Sequence, residues 1–278
     1  MRVTIFGATG LLGKELMHAW KDDEVTGLGS KDADLRDAQQ VLNVVQSTKP
    51  EWIVLAAAYT DVDGCELNEQ LARNVNYYGA IHVAQAAKQS GAKLLFVSTD
   101  YVFDGTKTTP YEITDTRSPR SVYGKWKAEA EVKLTELLPE CTIVRTSWLF
   151  GTGGKCFPDT ILKLVATRPA IDVVNDQRGS PTYARDLANA IIQLCRKDAS
   201  GIIHATNCGD CTWFDFAAEI VAKAHSQTLV RPTTSEKFVR PAERPKYSVL
   251  SPASLEKYGI PMPAWQDALS HYLKERVG

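Results

Sequence analysis

"RVTIFGATGLLGKEL", residues 2–16, runs a short β-branched stretch into glycines at 7, 10 and 13 and then into a helical pattern. Strand, glycine turn and helix in that order have a physical use. Glycine lets the backbone approach a pyrophosphate, and the helix that follows points its free amides and positive dipole at the same place. The spacing G-x-x-G-x-x-G departs from the usual G-x-G-x-x-G, yet the same logic applies. A tight turn with no ligand is the plainer alternative. The setting between a strand and a helix favours a dinucleotide held by Gly7, Gly10 and Gly13.

Outward from this stretch the chain keeps a regular alternation. A second short run occupies 24–28, and helical apolar spacing covers 37–47. "WIVLAAA" (52–58) is a continuous apolar run of the kind a strand buried on both faces shows. A long helix is expected over about 67–89, stopped by Gly91. The buried-strand pattern returns at 92–98 and 141–147, with the helix "SVYGKWKAEAEVKLTELL" between them. Strands alternating with helices of this length predict βαβ units and a Rossmann-type, doubly wound parallel α/β sheet. Beyond Phe150 the rhythm loosens. "GTGGK" is a loop, a helix runs to about Arg168, and "IDVV" (171–174) is a short strand. Amphipathic helices cover 184–197 and 212–225, with Asp186 or Thr212 near their starts, and a last helix begins at about Ala264. "RPTTSEKFVRPAERPKYS" reads as proline-punctuated and irregular. The expected division is a dinucleotide-binding domain over 1–150 and a smaller, mainly substrate-binding region over 151–278, some segments of which return to the first domain.

Of 278 residues, 44% are hydrophobic and 23% charged, as in ordinary globular chains, and the net charge of −1 gives no reason to expect nucleic acid or an anionic membrane as partner. No apolar run is long enough to span a bilayer, and the opening residues enter a strand without a cleavable leader, so a cytoplasmic location is expected. Six cysteines in such a chain read as free thiols. Cys208 and Cys211 form a C-x-x-C without a second ligand pair, so no metal is assigned.

In open α/β sheets ligands bind beyond the carboxyl ends of the strands. After strand two no carboxylate appears until Asp32, so Ser30 and Lys31 could receive the 2′-phosphate of NADP, although Lys31 reads equally well as a solvated loop lysine; Asp34 and Leu35 could flank the adenine. Ala56, Ala57 and Ala58 leave room for a flat ligand at the end of strand three, although close helix–sheet packing uses small residues equally well. Strand four ends in Ser98, Thr99, Asp100 and Tyr101, polar groups that ligand binding or a simple turn would both use. Tyr123 and Lys127 then stand at i and i+4 on one helical face. A free phenol titrates near pH 10, and a nearby ammonium is expected to lower that value toward neutrality. Tyr123 would then protonate a ketone oxygen as hydride arrives, with Thr99 bonding the same oxygen and Lys127 holding the ribose.

The combination of the glycine loop with "AAAYTDVD", "STDYVFDG", "YGKWK", "RTSWLFG", "NDQRGSPT" and "ERPKYSVL" resembles the dTDP-4-dehydrorhamnose reductases, extended short-chain dehydrogenase/reductases, over nearly the whole chain. The resemblance implies reduction of the 4-keto group of dTDP-4-dehydro-β-L-rhamnose with NADPH or NADH. It makes Tyr123, Lys127 and Thr99 the catalytic set, and Thr99, Asp100, Tyr101 and Trp148 the sugar-nucleotide contacts. Gly7, Thr9, Gly10, Leu11, Leu12, Gly13, Ser30, Asp34, Leu35, Ala56 to Tyr59, Asn76, Tyr123 and Lys127 become the cofactor contacts. Leu55 departs from the family, which often has Asn before the three alanines. A homodimer is a further implication. Some members dimerise around Mg²⁺ held by glutamates; Glu15 fits that pattern, but Arg185 stands at another ligand position, so no metal bridge is expected. Two other readings use the same motifs: a reductase or epimerase of another nucleotide sugar, and a non-catalytic NADP-binding regulator like the β-subunit of methionine adenosyltransferase.

Overall fold

The computed structural model describes residues 1–277. Its first half is β1 (Arg2–Phe6), α1 (Leu11–Ala19), β2 (Glu24–Leu28), α2 (Ala38–Thr48), β3 (Trp52–Leu55), α3 (Val62–Leu67) and α4 (Glu69–Ala72), then a π-helical stretch (Arg73–Tyr78), α5 (Gly79–Ser90), β4 (Lys93–Thr99), α6 (Val122–Leu137) and β5 (Thr142–Thr146). The second half has β6 (Leu149–Phe150), α7 (Phe157–Val165), β7 (Ala170–Val174), β8 (Arg178–Gly179), β9 (Thr182–Tyr183), α8 (Ala184–Arg196), β10 (Gly201–His204), β11 (Cys211–Thr212), α9 (Trp213–Lys223), β12 (Leu229–Thr233), α10 (Ala253–Glu256) and α11 (Trp265–Val277).

Six strands form a parallel sheet in the order β2-β1-β3-β4-β5-β10. Alternating side chains send each strand's apolar groups to both faces. Val3, Ile5, Trp52, Val54, Leu95 and Val144 meet α1 and α8 on one face. Phe6, Ile53, Leu55, Phe96 and Ile143 meet α2, α5 and α6 on the other. The doubly wound sheet expected from the alternation is present. After β2 the chain crosses back over β1 to β3, so the strand order reverses between β1 and β3, and the crevice above their carboxyl ends opens there. A third core of Phe150, Ile161, Val173, Tyr183, Phe216, Trp265 and Tyr272 holds the remaining elements together.

Several local expectations are corrected. The third strand ends at Leu55, so the three alanines are loop. The helix expected over 67–89 is present over 69–90 and stops at Gly91 as expected, but it carries a π turn over 73–78 that holds Asn76. The chain from 201 to 204 adds β10 to the sheet, a strand too short for its periodicity to stand out. Pro232 lies inside β12, in the segment expected to be irregular; a strand pairing only with β7 has one edge that needs no N–H. Thr212 caps α9 through a capping box with Asp215, whereas α8 has no side-chain cap and Asp186 instead accepts a hydrogen bond from Asn207. No helix among the described residues is long and apolar enough to cross a membrane.

Candidate active site

The glycine loop is built for close approach. Gly7 has φ +93°, and a Cβ there would lie 2.5 Å from the Ala57 amide nitrogen. A Cβ on Gly13 would lie 2.0 Å from the Gly7 carbonyl oxygen, so α1 can sit against the turn only with glycine at that position. Gly10 is the N-cap of α1, with no side-chain cap and no acidic residue in the first turn. The first amides of the helix are thus left open to an anion. Two clefts adjoin here. One, of about 430 Å³, is lined by Ser30, Asp34, Leu35 and Arg36. The other, of about 570 Å³, is lined by Thr9 to Gly13, Ala56, Thr99, Asp100, Tyr101, Tyr123, Lys127 and Trp148. Gly7, Ser30, Ala57 and Ala58 border both. Two adjoining clefts that share the glycine turn, the second lined by an uncapped helix end, fit a dinucleotide.

The second cleft gathers the chemistry. Ser121 caps α6 by accepting from the Gly124 amide, and a Cβ on Gly124 would come 2.2 Å from the Tyr101 carbonyl oxygen. The helix start is therefore pressed against the end of β4, and Tyr123 meets Tyr101 edge-on at 5.8 Å between ring centres. Lys127 is buried, donates from Nζ to the Val97 carbonyl at 2.7 Å, and has Nζ 3.8 Å from the Phe96 ring centre. Burial drives its pKa down to about 7, against the opposing pull of Glu131. Thr99 Oγ donates to Asp100 Oδ1 at 3.0 Å. Burial pushes the Asp100 carboxyl up to about 6.

One expectation about Tyr123 is reversed. Its pKa is raised, first by burial and then by the charge of Asp100, with only the Thr99 hydroxyl pulling the other way. In this site loss of bulk water and a neighbouring carboxylate both oppose the phenolate and outweigh the expected effect of the ammonium.

Trp148 has a backbone φ of 46°, a left-handed conformation costly for a bulky residue. It is held by stacking on Trp213 at 3.5 Å and by Gly179, where a Cβ would lie 2.6 Å from the indole. Trp213, Lys155, Thr146 and Val62 also line this cleft. Val62 and Thr146 lie inside quoted motifs without having been singled out, and Lys155 and Trp213 lie outside them; only the folded chain brings all four here. Arg36, likewise overlooked, pairs with Asp34 at the mouth of the first cleft, Nη2 to Oδ2 at 2.6 Å. Three of the residues expected to contact a ligand line neither cleft. Lys31 is exposed and lines neither cleft. Tyr59 and Asn76 also line neither; Asn76 Oδ1 accepts from the Tyr59 amide at 2.7 Å, and its Nδ2 donates to the Tyr59 carbonyl at 3.0 Å. Asn76 therefore clamps the loop after β3. Glu15 accepts from Arg185 Nε at 3.1 Å and from Thr152 at 2.8 Å, and Arg185 also pairs with Glu275. Among the described residues no cluster of His, Cys, Asp and Glu is arranged to hold a metal.

A reversed-order parallel sheet, an uncapped glycine turn at its switch point and a Tyr–Lys pair beside the strand-four hydroxyls define a Rossmann-type oxidoreductase of the extended short-chain dehydrogenase/reductase class. The family described as RmlD substrate binding domain matches residues 1–277, and the chain belongs to the dTDP-4-dehydrorhamnose reductase family. It is 39% identical to the spore coat polysaccharide biosynthesis protein SpsK of Bacillus subtilis (strain 168), covering 99% of this chain and 98% of that protein. It superposes on a dTDP-4-dehydrorhamnose reductase from Clostridium acetobutylicum ATCC 824 with a TM-score of 0.98, 37% identity and complete (100%) coverage of both chains. The dTDP-4-dehydrorhamnose reductase of Bacillus anthracis str. Ames, solved in complex with NADP, gives a TM-score of 0.96 and 39% identity over 99% of each chain.

Proposed function

We propose that the chain reduces the 4-keto group of dTDP-4-dehydro-β-L-rhamnose to dTDP-L-rhamnose with NADPH or NADH, in the cytoplasm. The supporting observation is that Tyr123, Lys127, Thr99, Asp100 and Trp148 converge on one cleft that opens directly from the glycine turn. Gly7 to Gly13 would hold the pyrophosphate, and Ser30, Asp34, Leu35 and Arg36 the adenosine half. When bound, the reduced nicotinamide supplies the hydride. Tyr123, kept protonated by its burial, gives its proton to the ketone oxygen. The Thr99 hydroxyl, now directed at Asp100, rotates to donate to the same oxygen. The Lys127 ammonium steadies the phenolate left behind and bonds the ribose. The 1–150 region holds the cofactor, and the 151–278 region, less α8 and β10, encloses the sugar nucleotide. Reaction of purified protein with enzymatically generated keto sugar, followed by loss of reduced-nicotinamide absorbance, tests this reading. Rapid oxidation with dTDP-rhamnose as product supports it; tight cofactor binding without oxidation of the cofactor refutes it.

A further inference from the structure

Glu131 lies one turn beyond Lys127 on the same face of α6, and it is completely buried. Its carboxylate is crowded by donors from three directions. Arg145 of β5 is bidentate, with Nε 3.0 Å from Oε1 and Nη2 2.6 Å from Oε2. Arg117 Nε donates to Oε2 at 2.6 Å, and Ser98 Oγ of β4 donates to Oε1 at 2.5 Å. A carboxylate accepts about four hydrogen bonds. Glu131 is therefore saturated, and its ion pairs are with Arg117 and Arg145, not with Lys127. An ammonium carries three donors. Lys127 uses one on the Val97 carbonyl, and as a lining residue of the cleft it has the others to offer a ligand.

The charged and titratable groups facing Lys127 come from several elements. Glu131 and Tyr123 share its helix; Arg145 and Arg117 stand behind Glu131; Asp100 and Tyr101 follow β4. From β10, His204 Nε2 lies 3.3 Å from Arg145 Nη1, and burial with the charge of Arg145 presses its pKa down to about 3, so it stays neutral. Although burial opposes ionisation of Glu131, the Arg145 contact chiefly brings its pKa below the usual carboxylate value. Among these groups Glu131 is the one whose charge opposes the loss of the Lys127 proton.

We infer that Glu131 is a positioning residue for the chemistry proposed above: clamped by Arg145, Arg117 and Ser98, it favours the charged form of Lys127 through its field while leaving the ammonium's donors free for the cleft. The same carboxylate ties the end of β4, next to Thr99, to the helix that carries Tyr123 and Lys127. A direct Glu–Lys pair would hold the charge equally well but would spend the donors; the two arginines and the serine prevent it.

The test follows the Lys127 titration directly, by the ¹³Cε chemical shift of labelled lysine in the ligand-free protein, alongside the pH profile of kcat. Glu131→Gln keeps an acceptor for Ser98 but loses the charge, and should lower the Lys127 midpoint by about one pH unit or more. Arg117, 28% exposed at the edge of the cluster, is the milder site. Arg117→Gln removes a cation that competes for Glu131 and should raise the midpoint. Because activity needs the ammonium and fades as pH rises through its pKa, the alkaline limb of kcat should move down in the first variant and up in the second. A purely structural cluster would weaken both variants without opposite shifts. An unmoved midpoint, or shifts of the same sign, overturns the inference. Should Glu131→Gln fail to fold, Arg117→Gln decides alone: upward supports, unmoved or downward overturns. If the wild type does not turn over the keto sugar, the functional reading falls, while the titration still judges the coupling.

Discussion

At the scale of single residues the site is a set of opposed electrostatic effects. Tyr123 faces burial and a neighbouring carboxylate, which keep its proton on at neutral pH, as a reductase acid requires. Tyr123→Phe should therefore cost about 10²–10⁴-fold in kcat while fluorescence titration shows cofactor binding unchanged; turnover near wild type would remove Tyr123 from the role of acid. Asp100 carries the opposite burden. In the unfolded chain it ionises near pH 4, but in the fold only at about 6. It therefore withdraws stability as pH rises through that window, by at most about 3 kcal/mol. Asp100→Asn, which still accepts from Thr99, should melt above wild type at pH 7.5, and the gap should close below about pH 4. A gap independent of pH would mean that Asp100 is not the titrating group. Tyr123 and Lys127 were visible as a spacing on one helix. The direction of the Tyr123 shift was not, because it depends on how far the folded chain excludes water and where Asp100 comes to lie.

At the scale of elements, β1, the glycine turn and α1 act as one unit. A methyl group at Gly13 collides with the Gly7 carbonyl, so Gly13→Ala has to move the helix or the turn. Its expected cost is about 1–3 kcal/mol in stability. A rise of about tenfold or more in the NADPH dissociation constant should accompany it, read by isothermal titration. Unchanged affinity would show that the turn does not hold the pyrophosphate. Elements with long, clean periodicity were legible from sequence: β1, β2, α2, α6 and α9 fall where their patterns predict. The π turn between α4 and α5 was not. The π turn there brings Asn76 to the Tyr59 backbone, a pairing across 17 residues that no local propensity encodes. β10 was missed for a related reason: four residues become a strand because β5 offers an edge.

Across the whole molecule, the irregular stretch between β12 and α10 is fastened back onto the first half by Asp63 of α3. Its carboxylate accepts from Arg244 Nη2 at 2.9 Å, Arg240 Nη1 at 3.2 Å and the Ala242 amide at 3.2 Å. Arg244 chiefly holds the Asp63 pKa below the usual carboxylate range. The tie is therefore complete at neutral pH and is released only on acidification through that lowered pKa. Asp63→Asn should loosen the stretch by about 1–2 kcal/mol, seen as faster chymotryptic cleavage after the exposed Phe238 and a higher KM for the sugar nucleotide. Cleavage and KM both equal to wild type would show that this contact does not hold the stretch.

What the sequence determined by itself is what short-range physics encodes: alternating strands and helices, glycine where the backbone must come close, and Tyr123 and Lys127 on one helical face. What the tertiary structure decided is which distant groups meet. Trp213 stacks on Trp148 from 65 positions away, and Arg145 reaches Glu131 from the neighbouring strand. Arg185 fills the space between Glu15 and Glu275. Periodicity reports the face a side chain takes, because rise and twist repeat over a few residues. Partners across a sheet depend instead on strand order and register, which are set by the packing of the whole chain.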